Sequence, residues 1–64
     1  MMQDIEYHLG KAESHLELAI HAHIEAREDS EAAGDVWTTQ ERLEYRDTLR
    51  RLETTLQAIK DLSQ

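Results

Sequence analysis

The sequence contains no cysteine and no proline, and it has only two glycines and three aromatic residues in the Trp and Tyr classes. Without cysteine the chain can form neither a disulfide nor a thiolate metal site, so its fold does not depend on oxidation. The absence of proline, together with 33% charged residues, is typical of long helices or coiled coils. Since 64 residues bury little surface, we expect oligomerisation to supply part of the stability.

Long apolar runs are also missing. No stretch approaches the length of about 18 apolar residues that a membrane-spanning helix needs, and the first residues lack the basic and apolar regions of a signal peptide. We therefore expect a cytoplasmic protein without membrane contact. Disorder is not expected, because the apolar residues are regularly spaced.

Apolar residues recur at alternating steps of four and three in two stretches on either side of Gly34. This spacing predicts two helices that pack against each other. The first series is Ile5, Leu9, Ala12, Leu16, Ala19 and His23, and the second is Tyr45, Leu49, Leu52, Leu56 and Ile59. If the chain folds back at Gly34, residues equally distant from it in sequence pair across the seam, which places His23 opposite Tyr45.

The predicted boundaries are a helix over about 3–33, a turn over about 34–37 and a helix over about 38–63, within one domain 1–64. Gly34 suits the left-handed residue that follows a helix. Thr38, with Glu41 three residues later, predicts a capping box. Gly10 weakens the first helix by about 1 kcal/mol relative to alanine, which indicates either tolerance or the close approach of a neighbouring helix.

Two helices alone leave most core residues exposed, and Ile20 and Ile24 widen the apolar arc of the first helix. We therefore predict an all-α antiparallel hairpin that forms a homodimeric four-helix bundle. The spacing leaves open whether the two hairpins pack parallel or antiparallel. In length and topology the chain resembles the hairpin dimers of plasmid copy control, typified by Rop, and the helical-hairpin co-chaperones of type III secretion needle subunits. The resemblance implies topology alone.

The formal charge of −7 is unevenly divided. Residues 3–33 carry eight acidic and two basic side chains, whereas residues 38–64 carry five of each. The first helix carries an acidic series with a spacing of four residues, in which His21 occupies one position: Glu13, Glu17, Glu25 and Asp29. This acidic series is predicted to bind a basic groove of a partner protein. The alternative is that it serves solubility.

Several large apolar residues lie away from the predicted seam. Tyr7 and Leu18 point to the far side of the first helix, Leu43 to the far side of the second, and Trp37 follows Val36 in the turn. Trp37 with its neighbours Val36 and Leu43 is predicted to form an apolar anchor for a partner, and Tyr7 and Leu18 are also predicted to bind that partner. The alternative for Trp37 is that it caps the end of the bundle core.

All four histidines lie on the first helix, at His8, His15, His21 and His23. No two of them are three or four residues apart, which is the spacing of a helical metal chelate. Glu17, His21 and Glu25 could hold at most a weak surface ion, so we expect no physiological metal and no cofactor.

His23 and Tyr45 are the predicted polar pair of the seam. An imidazole beside a phenol can satisfy both polar groups and set the register of the helices. Because histidine changes charge near neutral pH, protonation of His23 in an apolar seam would loosen the hairpin. The sequence therefore predicts a pH-sensitive core pair.

On the second helix, Arg42, Arg46 and Arg50 also recur every four residues, and RNA binding of the Rop type is one alternative. The acidic total argues against nucleic acid, and we expect Asp47 and Glu53 to pair with Arg51 and Arg50.

Nothing in the sequence assembles a nucleophile with a base, so we do not expect an enzyme. The favoured function is that of a small acidic protein-binding module that masks a partner surface. An inhibitor, an adaptor, a co-chaperone or a phage-type antagonist of a host protein fits this description. The alternative is a structural homodimerisation module without an external ligand.

Overall fold

The computed structural model describes the backbone of residues 2–63 and the side chains of residues 4–63. Helix α1 spans Met2–Ala32 and helix α2 spans Thr39–Leu62, with no strand in this part of the chain. The two helices pack as a hairpin of 49 × 18 × 12 Å. Because one helix with its side chains is about 10–12 Å across, the hairpin is one helix thick. Both broad faces are therefore open, and the predicted all-α hairpin is confirmed.

Helix α1 ends in a Schellman motif. Gly34 has a φ of +85°, in the left-handed region that glycine enters without a Cβ clash. Its N–H donates to the carbonyl of Glu31, and the N–H of Asp35 donates to the carbonyl of Ser30, both at 3.0 Å. These two bonds satisfy carbonyl groups that the end of a helix would otherwise leave unpaired. The predicted role of Gly34 is confirmed.

Helix α2 begins with the predicted capping box. The N–H of Glu41 donates to the Thr38 hydroxyl, and the N–H of Thr38 donates to the Glu41 carboxylate, both at 3.1 Å. This reciprocal arrangement satisfies two donors at the start of the helix. Neither α1 nor α2 is both long and apolar enough to cross a membrane.

The seam between the helices differs from the prediction on the α1 side. Ala19 is exposed, and Ile5 is 61% exposed, whereas Ile20 and Arg27 are half-buried. The half-buried positions of α1 are Leu9, Ala12, Glu13, Leu16, Ile20, His23, Ile24, Arg27 and Ser30. The predicted seam positions Leu9, Ala12, Leu16 and His23 are thus half-buried. The buried side of α1 also extends beyond the predicted seam to Glu13, Ile20 and Ile24, so α1 is turned about its axis relative to the predicted orientation.

On the α2 side the prediction holds. Leu49, Leu52, Leu56 and Ile59 are half-buried, and Tyr45 is the one buried residue among those described, at 8% exposure. The hairpin thus has a continuous apolar seam but almost no interior. A domain with so small a core is marginal without further burial.

Candidate functional site

His23 and Tyr45 form the best-defined contact between the helices. Their rings stack with centroids 4.2 Å apart and an interplanar angle of 12°. His23 Nε2 lies 3.1 Å from the main-chain carbonyl oxygen of Tyr45. A carbonyl oxygen can only accept, so Nε2 carries the hydrogen. The predicted pairing of these residues is confirmed, but the imidazole bonds the main chain and not the phenol.

Two more side chains complete the packing around the Tyr45 ring. The Trp37 indole meets it edge-on with centroids 5.7 Å apart, and the Arg27 guanidinium carbon lies 4.8 Å from its centroid. Arg27 also lies 5.7 Å from the Trp37 ring. We call His23, Arg27, Trp37 and Tyr45 the turn-end cluster. Aromatic and cation–π contacts of this kind explain why Tyr45, among the side chains of residues 4–63, is the one that is buried.

Hydrogen bonds tie Trp37 to the end of α1. Its Nε1–H donates to the Ser30 hydroxyl at 2.7 Å, and that hydroxyl donates to the Asp35 carboxylate at 2.8 Å. Ser30 and Asp35 are also the two ends of a main-chain bond in the Schellman motif. Trp37 is therefore half-buried and packed within its own hairpin, which favours the capping role over the predicted role as an anchor for a partner.

The pH sensitivity of the His23–Tyr45 pair stays a prediction. Protonation at Nδ1 would leave the Nε2 hydrogen bond in place. Glu41 and Glu44 line the same shallow depression as His23.

The predicted acidic series does not form one face. Each step of four residues advances about 40° around a helix, so the positions from Glu13 to Asp29 wind about 160° around α1. In agreement, Glu13 is half-buried beside the seam while Glu17, Glu25 and Asp29 are exposed. Only the last two carboxylates lie on the side of α1 that faces away from α2.

That side of α1 also carries two large apolar residues. Tyr7 and Leu18 are 60% and 66% exposed, and at ~3.6 residues per turn they share a narrow arc with Glu25 and Asp29. We call these four residues the outer ridge. The Lys11 ammonium lies 5.6 Å from the centroid of the Tyr7 ring. Within residues 4–63, neither Glu25 nor Asp29 is among the side chains that form ion pairs.

Leu43 is separated from the outer ridge. It is exposed on the side of α2 that faces away from α1, so it occupies the opposite edge of the hairpin. Val36 is also exposed, in the turn. The apolar residues that were predicted to bind a partner are thus divided between the outer ridge, the turn-end cluster and the far edge of α2.

The arginines of α2 are partly paired. Asp47 accepts from both Arg50 and Arg51 at 3.0 Å, at helical spacings of three and four. The expected pairing of Asp47 with Arg51 is confirmed, but Arg50 also pairs with Asp47 and not with Glu53. The larger surface depression, about 530 Å³, is lined by residues of α2 alone. No second element closes it.

Two residues at the turn end of the hairpin lie outside the seam that the sequence predicts: Arg27 of the turn-end cluster, and Ser30, which accepts the hydrogen bond from Trp37. The sequence does carry a signal for them, because both belong to a second series with steps of four and three. Among residues 4–63, no three His, Asp or Glu side chains converge so as to hold a metal ion.

Comparisons with known proteins add no assignment. No protein-family model matches the chain, and no curated protein or solved structure is significantly similar to it.

Proposed function

We propose that the chain is a non-enzymatic protein-binding module whose outer ridge covers a surface of another protein. The observation that carries the proposal is the placement of exposed Tyr7 and Leu18 on the same ridge as Glu25 and Asp29. A partner of matching chemistry presents an apolar pocket beside basic side chains. Masking that surface would make the chain an inhibitor, an adaptor or a co-chaperone.

Charge supports a basic partner. The chain has a formal charge of −7, and most of the excess belongs to α1. Carboxylates without an internal cation are free to meet positive groups of a partner, which accelerates encounter and selects among competing surfaces. Exposed ion pairs are screened over about 8–10 Å at moderate salt. Binding through this ridge should therefore weaken as ionic strength rises.

The apolar residues of the ridge supply the short-range part of the interaction. Aromatic and large aliphatic side chains dominate the energetics of interfaces when a partner pocket excludes water from them. Because α1 is a continuous helix from Met2 to Ala32, Tyr7 and Leu18 are held about three turns apart on a rigid element. A helix laid in a groove is recognised through side chains arranged in this way.

The test is affinity capture with tagged full-length chain from lysate of its own host, followed by direct binding measurements with each purified candidate. The ridge variant is the double substitution Glu25→Gln with Asp29→Asn, and a second variant is Leu18→Ser. The matched control is Glu13→Gln with Glu17→Gln, which removes the same charge from other positions of α1. We expect a stoichiometric partner whose affinity falls in both ridge variants and persists in the control.

An equal loss of affinity in the ridge and control variants would show that the interaction depends on net charge alone. That result would overturn the role of the ridge. Recovery of the chain alone, at low as well as moderate salt, would favour the structural homodimerisation module. Nucleic acid retained at moderate salt would favour the arginines of α2 instead.

A further inference from the structure

The two broad faces of the hairpin can be told apart by the residues next to the seam. His23 of α1 and Thr48 of α2 line one depression, so they lie on the same broad face. Successive residues are about 100° apart around a helix. Ile24 follows His23 and is also half-buried, so it lies across the seam, on the other broad face. Leu49 follows Thr48 and lies on that other face for the same reason.

The centre of this other face is apolar. It is formed by four half-buried side chains, Ile20 and Ile24 of α1 with Leu49 and Leu56 of α2. We call the side of the hairpin that bears them the isoleucine face. Each of these side chains is covered by the opposite helix and open to water on its other side. A further helix packed over the face would remove that remaining apolar surface from water.

Carboxylates border the apolar centre along α1. Within about 60° of Ile24 around the helix, the acidic side chains are Glu6, Glu13, Glu17, Glu28 and Glu31. Glu31 is paired with Arg27 of the same helix at 2.9 Å. The other four belong to none of the ion pairs within residues 4–63. The α1 border of the isoleucine face is therefore acidic, with carboxylates that lack a cation in the single hairpin.

The border along α2 is mainly basic. Within about 60° of Leu49 around the helix, the charged side chains are Arg42, Arg46, Glu53 and Lys60. None of them belongs to an ion pair within residues 4–63. Arg46, Leu49 and Glu53 also line the open depression of about 530 Å³ on α2. This depression lies where a further helix would pack against α2.

The isoleucine face is thus complementary to itself. Two identical chains related by a two-fold axis use the same patch twice. An axis parallel to the helices places α1 of one copy opposite α2 of the other, so the acidic border meets the basic one. An axis across the helices would instead set α1 against α1, with carboxylate opposite carboxylate. The depression on the other broad face lacks such a division, because its charged side chains, Glu41 and Glu44, are both acidic.

The heights of the charged residues agree with this arrangement near the turn. The contact of His23 with Tyr45 places these two residues at one height along the hairpin. Glu28 lies five residues from His23 toward the turn, and Arg42 lies three residues from Tyr45 in the same direction. At a rise of ~1.5 Å per residue, their heights differ by about 3 Å. A two-fold axis parallel to the helices keeps these heights, so Glu28 of one copy lies level with Arg42 of the other.

The end of the hairpin away from the turn offers a second such pair. Lys60 lies 15 residues from Tyr45, and Glu6 lies 17 residues from His23, both away from the turn. Their heights again differ by about 3 Å. Opposite charges therefore meet at both ends of the apolar centre.

We infer that the chain forms a homodimer through its isoleucine faces, in which α1 of each copy packs against α2 of the other and both turns lie at the same end. The dimer is a four-helix bundle in which all neighbouring helices are antiparallel. The outer ridge lies on the side of α1 that faces away from α2, outside this interface. Dimerisation is therefore independent of the proposed capture of another protein.

The test is sedimentation equilibrium of the full chain over a dilution series at moderate salt, with two charge reversals and their combination. Arg42→Glu sets a carboxylate against Glu28 of the second copy, and Glu28→Lys sets an ammonium against its Arg42. We expect twice the mass of one chain, 7.5 kDa, for the natural sequence. Each single reversal should raise the dimer dissociation constant about tenfold. The combined variant exchanges the charges and should restore the natural constant.

Net charge and helix stability are controlled within this set. Lys11→Glu changes the net charge as Arg42→Glu does, but at an exposed position on the side of α1 away from α2. It should leave the dissociation constant nearly unchanged, since salt screens distant charges. Glu near the start of α2 and Lys near the end of α1 both suit the helix dipole. Helicity that is lost in a single reversal and regained in the combined variant, by circular dichroism, would also support the pairing.

A natural chain that sediments as a monomer throughout the series would overturn the inference. So would single reversals without effect, or a combined variant that dimerises no better than either single one. A dimer strengthened by Glu28→Lys would show that α1 packs against α1 of the second copy, which contradicts the proposed arrangement.

Discussion

His23 makes two different contacts with Tyr45: its Nε2–H donates to the Tyr45 carbonyl at 3.1 Å, and its ring stacks on the phenol ring at 4.2 Å. The first contact sets the axial register of the two helices, and the second covers the ring of Tyr45, the only buried residue in the described part of the chain. Both contacts lie beside the turn, where the helices are already held together by the connecting segment.

Removal of the Tyr45 ring should cost the hairpin most of its core. We expect Tyr45→Ala to lower the free energy of unfolding by about 3 kcal/mol, as for other buried aromatic residues. Leu43→Ala, two residues away on the exposed edge of α2, should change it by less than about 0.5 kcal/mol. Urea unfolding followed by circular dichroism, at one chain concentration, measures both. Equal losses would show that Tyr45 is not the centre of the core.

The two contacts of His23 can be separated by substitution. His23→Phe keeps a stacked ring but removes the donor, and we expect a loss of about 1 kcal/mol. The carbonyl of Tyr45 lies inside α2, where the helix supplies another donor, so the loss is not larger. His23→Ala removes ring and donor together and should be more destabilising than His23→Phe. Thermal unfolding ranks the stabilities of the two variants. If His23→Ala were the more stable of the two, the proposed contribution of ring stacking would be contradicted.

Trp37 distinguishes packing within the hairpin from partner binding. Because the indole contacts Tyr45 and donates to Ser30, Trp37→Ala should lower the free energy of unfolding by about 2 kcal/mol. A residue that served only as an exposed anchor would leave unfolding unchanged. Val36→Ala is the control, since Val36 is exposed in the same turn. Unfolding curves monitored by circular dichroism compare the two variants.

Substitution of each of the two glycines by alanine should change the stability of the hairpin in opposite directions. A Cβ added at Gly10 meets nothing within 4 Å, so Gly10→Ala should stabilise α1 by about 0.5–1 kcal/mol. Gly34→Ala places a side chain at a φ of +85° and should destabilise the turn by about 1 kcal/mol. Thermal denaturation at equal concentration tests both. A destabilising Gly10→Ala would indicate a helix packed against that position in the assembled protein.

Local features of the fold were predictable because local groups determine them. The Schellman motif needs a residue that tolerates positive φ, and Gly34 is the only glycine near the turn. The capping box needs Thr38 and Glu41 three residues apart, which the sequence shows directly. The pairing of His23 with Tyr45 was also predictable, because a short turn leaves few alternatives for residues next to it.

The rotation of α1 was not predictable from spacing. Ala19 fits steps of four and three as well as Ile20 does, so the pattern allows more than one orientation of the helix. Packing against Tyr45 separates them, because the guanidinium of Arg27 reaches the ring only when its side of α1 faces α2. The same orientation leaves Ala19 exposed.

The sequence by itself determined two helices, their ends and the residue at which the chain reverses, because these depend on hydrogen bonds between groups a few residues apart. The tertiary structure decided which side of α1 faces α2, that Trp37 packs on its own hairpin, and that the acidic series is divided around the helix. Those outcomes depend on the packing of long side chains from both helices around the Tyr45 ring. The periodicity of a sequence does not specify that packing.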